Sequence, residues 1–411
     1  MRKKIFCIII FTFNVAFSAF AQYFSTPRLL APYAARAPEI ISRAAVLIDA
    51  ETGALLYSKN QDEEIPPASL AKLMTMHLVM KEIEAGRVSL EETVPVTAES
   101  WAQNQPPRSS LMFLAPGQTV TLREIMLGMA VPSGNDAAVA AALRLAPSVN
   151  AFANMMTEEA RRMGLRVTRF VEPSGISENN MTTAGEYAFF CRQYLRLHPW
   201  SLKTFHSVPV FAYPEAANVS PAFRNKPGTI VQYNRNRLLI TFQGADGLKT
   251  GYIDEAGYNF ALTAMRGQTR FIAVILGAPP VPGGDRIRDE DGEKLLSWAF
   301  DNFKTVRPVI GKIEKARVWK GKANDVELEL AHQADFTSPA DRAYSLWFDI
   351  IFDGPLIAPF PSGFPAGHLI INDELGELNR VSLVTASACE KGNIFKRLWH
   401  SILLFFKKNN V

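Results

Sequence analysis

At 411 residues and 48% hydrophobic content, the chain can bury one large core and still furnish a second domain. Its 44 basic and 40 acidic residues nearly balance, and the +4 excess sits partly at the two ends, which argues against a nucleic-acid partner. Cys191 and Cys389 are far apart and the histidines (His77, His198, His206, His332, His368, His400) lack an H-E-x-x-H pattern, which argues against a disulfide framework and a metal site.

In chain order, Arg2, Lys3 and Lys4 precede an apolar run from Ile5 to Phe17, and Ala19-Phe20-Ala21 makes a small-x-small cleavage site. The run is shorter than the roughly 20 residues needed to cross a bilayer. Residues 1–21 therefore read as an export signal and 22–39 as a lead-in. "AAVLIDAETGALLYSKN" reads as a β-hairpin turning at Glu51-Thr52-Gly53, and "PPASLAKLMT" as the helix start that follows it. Residues 120–165, rich in Ala, Leu and Met, read as packed helices. "YNFALTAMRGQTRFIAVILGA" reads as an antiparallel hairpin turning at Arg266-Gly267-Gln268, and a helix from about Asp289 to Phe303 closes the unit. Strands at both ends with helices between predict an α/β (α+β) domain over 40–304, its antiparallel sheet joining the two chain ends beneath helical layers.

Beyond it, short alternating segments and turns such as Asp353-Gly354-Pro355 predict a small all-β domain over 305–388. The tail 389–411 sets Phe395, Leu398, Trp399, Ile402, Phe405 and Phe406 along one helical face, with Lys396, Arg397, Lys407 and Lys408 beside it. That composition suits an amphipathic helix lying in a membrane interface; docking onto its own domain is the alternative.

Ser69 and Lys72, three apart at the helix start, share one face. Burial would lower the lysine pKa and leave a neutral amine able to take the serine proton. One S-x-x-K is expected about once by chance in a chain this long. Two further elements change the weighing: Ser133-Gly134-Asn135 at a helix boundary, and Lys249-Thr250-Gly251 inside "GADGLKTGYIDEAGYNF".

In that order the three elements resemble the penicillin-binding protein and serine β-lactamase superfamily, with its S-x-x-K, S-D-N and K-T-G signature, although Gly134 stands in place of Asp. The stretches "PPASLAKLMT", "SSLMFLAPG", "SGNDA" and "DGLKTGY...AGYN" are similar to the low-molecular-mass D-alanyl-D-alanine carboxypeptidases, a resemblance running from about residue 40 to the end. It implies a β-lactamase/D,D-peptidase-like fold and assigns Ser69 as nucleophile, Lys72 as general base and Ser133 as proton relay. It places Asn135, Lys249, Thr250 and Gly251 around the substrate, and the backbone N–H groups of Ser69 and Tyr252 in an oxyanion hole. The family commonly carries histidine where Tyr252 stands. Arg288, seven residues before Leu295, sits where the family has a carboxylate-binding guanidinium, and a helix-flanking arginine is the equal alternative.

The implied reaction is release of terminal D-alanine from peptidoglycan pentapeptides through an acyl-enzyme on Ser69, with β-lactams as inhibitors and no metal or organic cofactor. Peptidoglycan peptide and, through the tail, the membrane surface are the implied partners, on the periplasmic side or outer face of the cytoplasmic membrane. A homodimer on that surface stays open. The alternatives are a serine β-lactamase, for which no acid such as Glu172 is assigned a deacylating role, and a non-catalytic wall-shape scaffold.

Overall fold

The computed structural model describes residues 30–219, 228–374 and 376–408, so the expected export segment lies outside the described residues. Ala44–Asp49 forms β1 and Leu55–Lys59 forms β2, an antiparallel pair joined through Gly53, whose φ of 74° favours a residue without Cβ. β3 (Ala245–Ile253), β4 (Gly257–Arg266) and β5 (Thr269–Ala278) complete a five-stranded antiparallel sheet in the order β2-β1-β5-β4-β3. The early strand thus lies beside the late one, Val46 opposite Val274.

Period-two alternation splits these strands between two cores. Val46, Ile48, Ile272 and Val274 face Leu73, Val79, Tyr187 and Phe190, whereas Leu47, Phe271, Ala273 and Ile275 face Leu295, Leu296 and Trp298. The first core carries α1 (Ala71–Glu84), α2 (Leu122–Ala130), α3 (Asn135–Leu145), α4 (Val149–Arg162) and α5 (Ala184–Leu197), and α6 (Gly284–Asn302) covers the opposite face of the sheet. Thr121 caps α2 in a reciprocal box with Glu124. Helix and antiparallel sheet combine as the sequence predicts. α6 begins five residues before the expected Asp289, because its first turn, Gly284 to Arg288, is mostly polar and offers no apolar periodicity to read.

The later strands are β6 (Phe303–Val306), β7 (Ala316–Trp319), β8 (Leu328–Leu330), β9 (Phe336–Pro339), β10 (Trp347–Phe352), β11 (Pro365–Asp373) and β12 (Gly376–Thr385). A four-stranded antiparallel sheet runs β8-β12-β11-β10, β6 pairs with β9, and β7 centres a small third sheet. Their apolar side chains form separate clusters around Val318, Leu369 and Leu383, and around Phe336 and Val381. A last helix, α7 (Ile394–Lys408), rests on this region by its polar side: Lys396 Nζ donates to Asn324 Oδ1 at 2.8 Å, and His400 Nδ1 accepts from Lys320 N at 2.8 Å. Its other side leaves Phe395, Leu398, Trp399, Phe405 and Phe406 exposed. The docking that the sequence offered as the alternative to membrane contact is thus made by the polar side, and the apolar face stays exposed. Among the described residues no helix is long and apolar enough to cross a membrane.

Asp49 ties the β-rich region to the five-stranded sheet. One carboxylate oxygen accepts the turn amides of Glu51 and Thr52, and the other accepts the hydroxyls of Thr305 and Thr337 at 2.8 and 2.9 Å. The residue is fully buried, and burial raises its pKa against the pull of these four donors. Asp49→Ala removes the acceptor of all four donors, of which Thr337 keeps the Thr52 hydroxyl at 2.6 Å, so a loss of about 2–4 kcal/mol in urea unfolding is expected.

Candidate active site

Ser69 lies in a single 3₁₀ turn, Ala68–Leu70, that runs straight into α1. One helical turn on, Lys72 is fully buried, with Nζ 3.0 Å from Ser69 Oγ, 2.7 Å from Asn135 Oδ1 and 2.6 Å from the Ser174 carbonyl oxygen. The amide and carbonyl oxygens can only accept. A neutral amine therefore commits both N–H bonds to them and turns its lone pair to the Ser69 hydroxyl. Burial pushes the Lys72 pKa down to about 7; the Glu172 carboxylate opposes that shift and the Arg235 guanidinium reinforces it.

The second wall follows α2. Ser133 holds a left-handed φ of 67°, and its buried Oγ has no hydrogen-bond partner among the described residues. Asn135 opens α3, and its Nδ2 donates to Ser109 Oγ at 3.1 Å. Asp136 accepts the backbone N–H groups of Met112, Phe113 and Leu114 at 2.8–3.0 Å. A Cβ on Gly134 would stand 2.9 Å from Met112 N, which explains glycine at the centre of this motif.

The third wall is β3, the edge strand of its sheet. Lys249 and Thr250 are buried on it, with Lys249 Nζ donating to the Thr250 carbonyl at 2.9 Å. Burial, joined by Lys72, Arg235 and Arg288, drives the Lys249 pKa well down, and an arriving carboxylate would reverse that pressure. A Cβ on Gly251 would lie 3.0 Å from Ser69 N, so glycine allows the strand its close approach to the Ser69 turn. Tyr252 packs against Tyr258 with ring centroids 4.3 Å apart and donates its hydroxyl to Asp254 Oδ1 at 2.6 Å. That contact, ahead of burial, pushes the phenol up to about 12.

Ser69, Ser133, Thr250, Gly251, Tyr252 and Arg288 border one cavity of about 550 Å³. Arg288 is nearly buried there, with Nε donating to Asp289 Oδ1 at 2.8 Å and the guanidinium 5.0 Å over the Phe260 ring. A smaller lobe, about 280 Å³, opens on the other side of Ser69. A cavity of about 700 Å³ by Arg192 and Asn379 contains none of the motif residues.

Sequence reasoning missed Arg235, which lines the larger lobe, acts electrostatically on both lysines and forms no ion pair among the described residues. No motif surrounds it in "QYNRNRLLI", so nothing local announced it. It also missed the Ser174 carbonyl, presented by a loop that Glu172 holds through five hydrogen bonds from Ser174, Gly175, Ser177 and Asn180.

Residues 31–280 match the family model described as D-alanyl-D-alanine carboxypeptidase. Over 396 residues the chain is 32% identical to the D-alanyl-D-alanine carboxypeptidase DacC of Escherichia coli (strain K12), spanning 95% of this chain and 94% of that protein. Penicillin binding protein 5 from Haemophilus influenzae superposes with a TM-score of 0.75 at 29% identity, covering 86% of this chain and 99% of that one. Penicillin-Binding Protein D2 from Listeria monocytogenes, in its ampicillin-bound form, superposes with a TM-score of 0.54 at 30% identity, over 64% of this chain and 100% of that one.

If the neutral Lys72 amine takes the Ser69 proton, the acylation rate follows its deprotonated fraction. Labelling of Ser69 by a fluorescent penicillin should then rise about tenfold per pH unit from pH 5 to 6 and level off above about 7, as stopped-flow measurement would show. Tyr252 should add no inflection in that window.

Proposed function

The chain belongs to the D-alanyl-D-alanine carboxypeptidase family and is a serine-type hydrolase that removes the terminal D-alanine from peptidoglycan pentapeptides; from that premise we infer the role of each residue around Ser69. The observation that carries the assignment is the buried Lys72 amine, satisfied by two fixed acceptors and 3.0 Å from the Ser69 hydroxyl. Ser69 Oγ attacks the carbonyl carbon of the penultimate D-alanine while its proton passes to Lys72 Nζ. Negative charge gathers on the carbonyl oxygen, where the backbone N–H groups of Ser69 and Tyr252 stabilise it. The unpartnered Ser133 hydroxyl passes a proton from Lys72 to the leaving nitrogen, the C–N bond breaks and free D-alanine departs. Water then attacks the ester, gives its proton back through Lys72 and restores Ser69. Asn135 holds the acyl amide, and Thr250, Lys249 and a guanidinium hold the terminal carboxylate.

Of the four arginines that border the larger lobe, Arg108 is engaged by Asp254, Arg237 by Asp285 and Asp289, and Arg288 by Asp289, whereas Arg235 forms no ion pair among the described residues. That difference favours Arg235 as the main partner of the substrate carboxylate. A β-lactam presents a comparable carboxylate and acyl carbon and acylates the same serine. The β-lactamase reading is weaker because Glu172, the acid nearest in role to a water-activating base, has both oxygens committed to its own loop.

The substrate lies outside the cytoplasm, which agrees with an exported chain. The exposed Phe395, Trp399 and Phe405 face of α7 supports peripheral anchoring at the outer face of the cytoplasmic membrane, with the β-rich region as a spacer.

Full-length protein should release one D-alanine per N-acylated pentapeptide, and Ser69→Ala should abolish release while leaving the thermal unfolding midpoint in place. Arg235→Ala should raise KM roughly tenfold, from loss of a charged hydrogen bond, and Arg288→Ala should raise it less. Replacing Phe395, Trp399 and Phe405 by serine should free the protein from sedimenting anionic lipid vesicles without changing D-alanine release.

A further inference from the structure

In the helical layer, four side chains that the reaction does not use form a continuous chain of polar contacts. His77 on α1 sets Nε2 3.0 Å from Glu159 Oε1 on α4 and Nδ1 2.8 Å from Nε2 of His198, the residue that ends α5. His198 Nδ1 in turn lies 2.6 Å from Oε1 of Glu84, the last residue of α1. Both imidazoles are fully buried.

Three contacts need three hydrogens. Carboxylates only accept, and a neutral imidazole carries one N–H, so two neutral rings leave one contact with lone pair facing lone pair. The neighbouring charges decide which one. Glu159 is a fixed acceptor: Lys81 Nζ donates to the same oxygen at 2.6 Å, and Arg162 pairs with the other oxygen. His77 therefore keeps its hydrogen on Nε2 and accepts at Nδ1 from His198, and the shortage falls between His198 Nδ1 and Glu84. Glu84 is also the member that reaches solvent, 42% exposed, with Trp200 Nε1 beside it at 3.4 Å.

Burial, joined by the Lys81 and Arg162 cations, pulls the His77 pKa down to about 4. Burial lowers that of His198 as well, but there the Glu84 contact pulls the other way. Phe190 and Tyr194 pack on the rings without charge, and the Tyr194 hydroxyl meets His206, whose own pKa burial lowers. His198 Nδ1 is thus the place where a third proton can be held.

We propose that this chain is a pH-operated latch: a proton entering on His198 Nδ1 closes the contact with Glu84 and fastens the end of α1 to the end of α5, and its departure releases Glu84. The helix fastened in this way is the one whose first turn carries Lys72.

The sign follows from the lowered pKa. The folded chain binds the His198 proton less readily than the unfolded one, so stability falls as pH falls through the ordinary imidazole value of 6.5, and it falls further without the Glu84 carboxylate. In Glu84→Gln the amide donates its own N–H to the bare Nδ1 and completes all three contacts with both rings neutral. Urea unfolding of the full-length proteins, followed by helical circular dichroism, should therefore show the folding equilibrium constant of the wild type relative to Glu84→Gln rising roughly tenfold from about pH 8 to about pH 5. Glu82→Gln, on the same helix and paired with Arg87, should leave the corresponding ratio flat over that range. Histidine-selective ¹⁵N spectra of the wild type should show His198 Nδ1 bare at the upper pH and protonated at the lower. A flat ratio for Glu84→Gln, an equal rise for Glu82→Gln, or an Nδ1 signal that does not change would overturn the latch.

Discussion

The site depends on one amine kept from water. Lys72 has no solvent to satisfy it, so the protein must supply every partner: the Asn135 amide, the Ser174 carbonyl and the Ser69 hydroxyl. These come from three separate stretches of chain that meet only if the fold is complete. Moving either carbonyl acceptor leaves a buried N–H unpaired, so the burial that lowers the proton affinity of the lysine also obliges the helix and loop that carry those acceptors to stay in place. Chemistry and local stability are here the same set of contacts.

The second constraint is close approach. β3 comes within van der Waals reach of the Ser69 turn because Gly251 has no side chain, and the loop after Glu172 reaches the same turn because Gly175 has none: a Cβ there would stand 1.8 Å from the Ala68 carbonyl oxygen. Gly175 also holds a φ of 84°, so the backbone itself selects glycine. Three walls can therefore converge on a serine while β1, β4 and β5 behind them stay largely buried on both faces.

Much of this was legible in the sequence because it is local. The hairpins announced themselves by alternation, and Ser69, Lys72, Ser133, Asn135, Lys249 and Thr250 were marked by short motifs whose spacing has a physical meaning. What escaped was non-local. Arg235 matters through its distance to two lysines in other elements, Ser174 contributes a carbonyl that any residue could supply, and Asp254 gains its place from a loop far earlier in the chain. The early start of α6 escaped for another reason, since a polar first turn gives no hydrophobic period to follow.

The Glu172 carboxylate, occupied by its own loop, limits how this protein can change. Recruiting an acid to activate water is one way to discharge an acyl group from a serine. Here that acid is structural: releasing it for catalysis would free the loop that presents the Ser174 carbonyl to Lys72. The acylation machinery would loosen as the hydrolytic one was gained. A water-activating role for Glu172 would thus come at the expense of the loop that positions the Ser174 carbonyl, and such an acid would have to come from elsewhere in the fold.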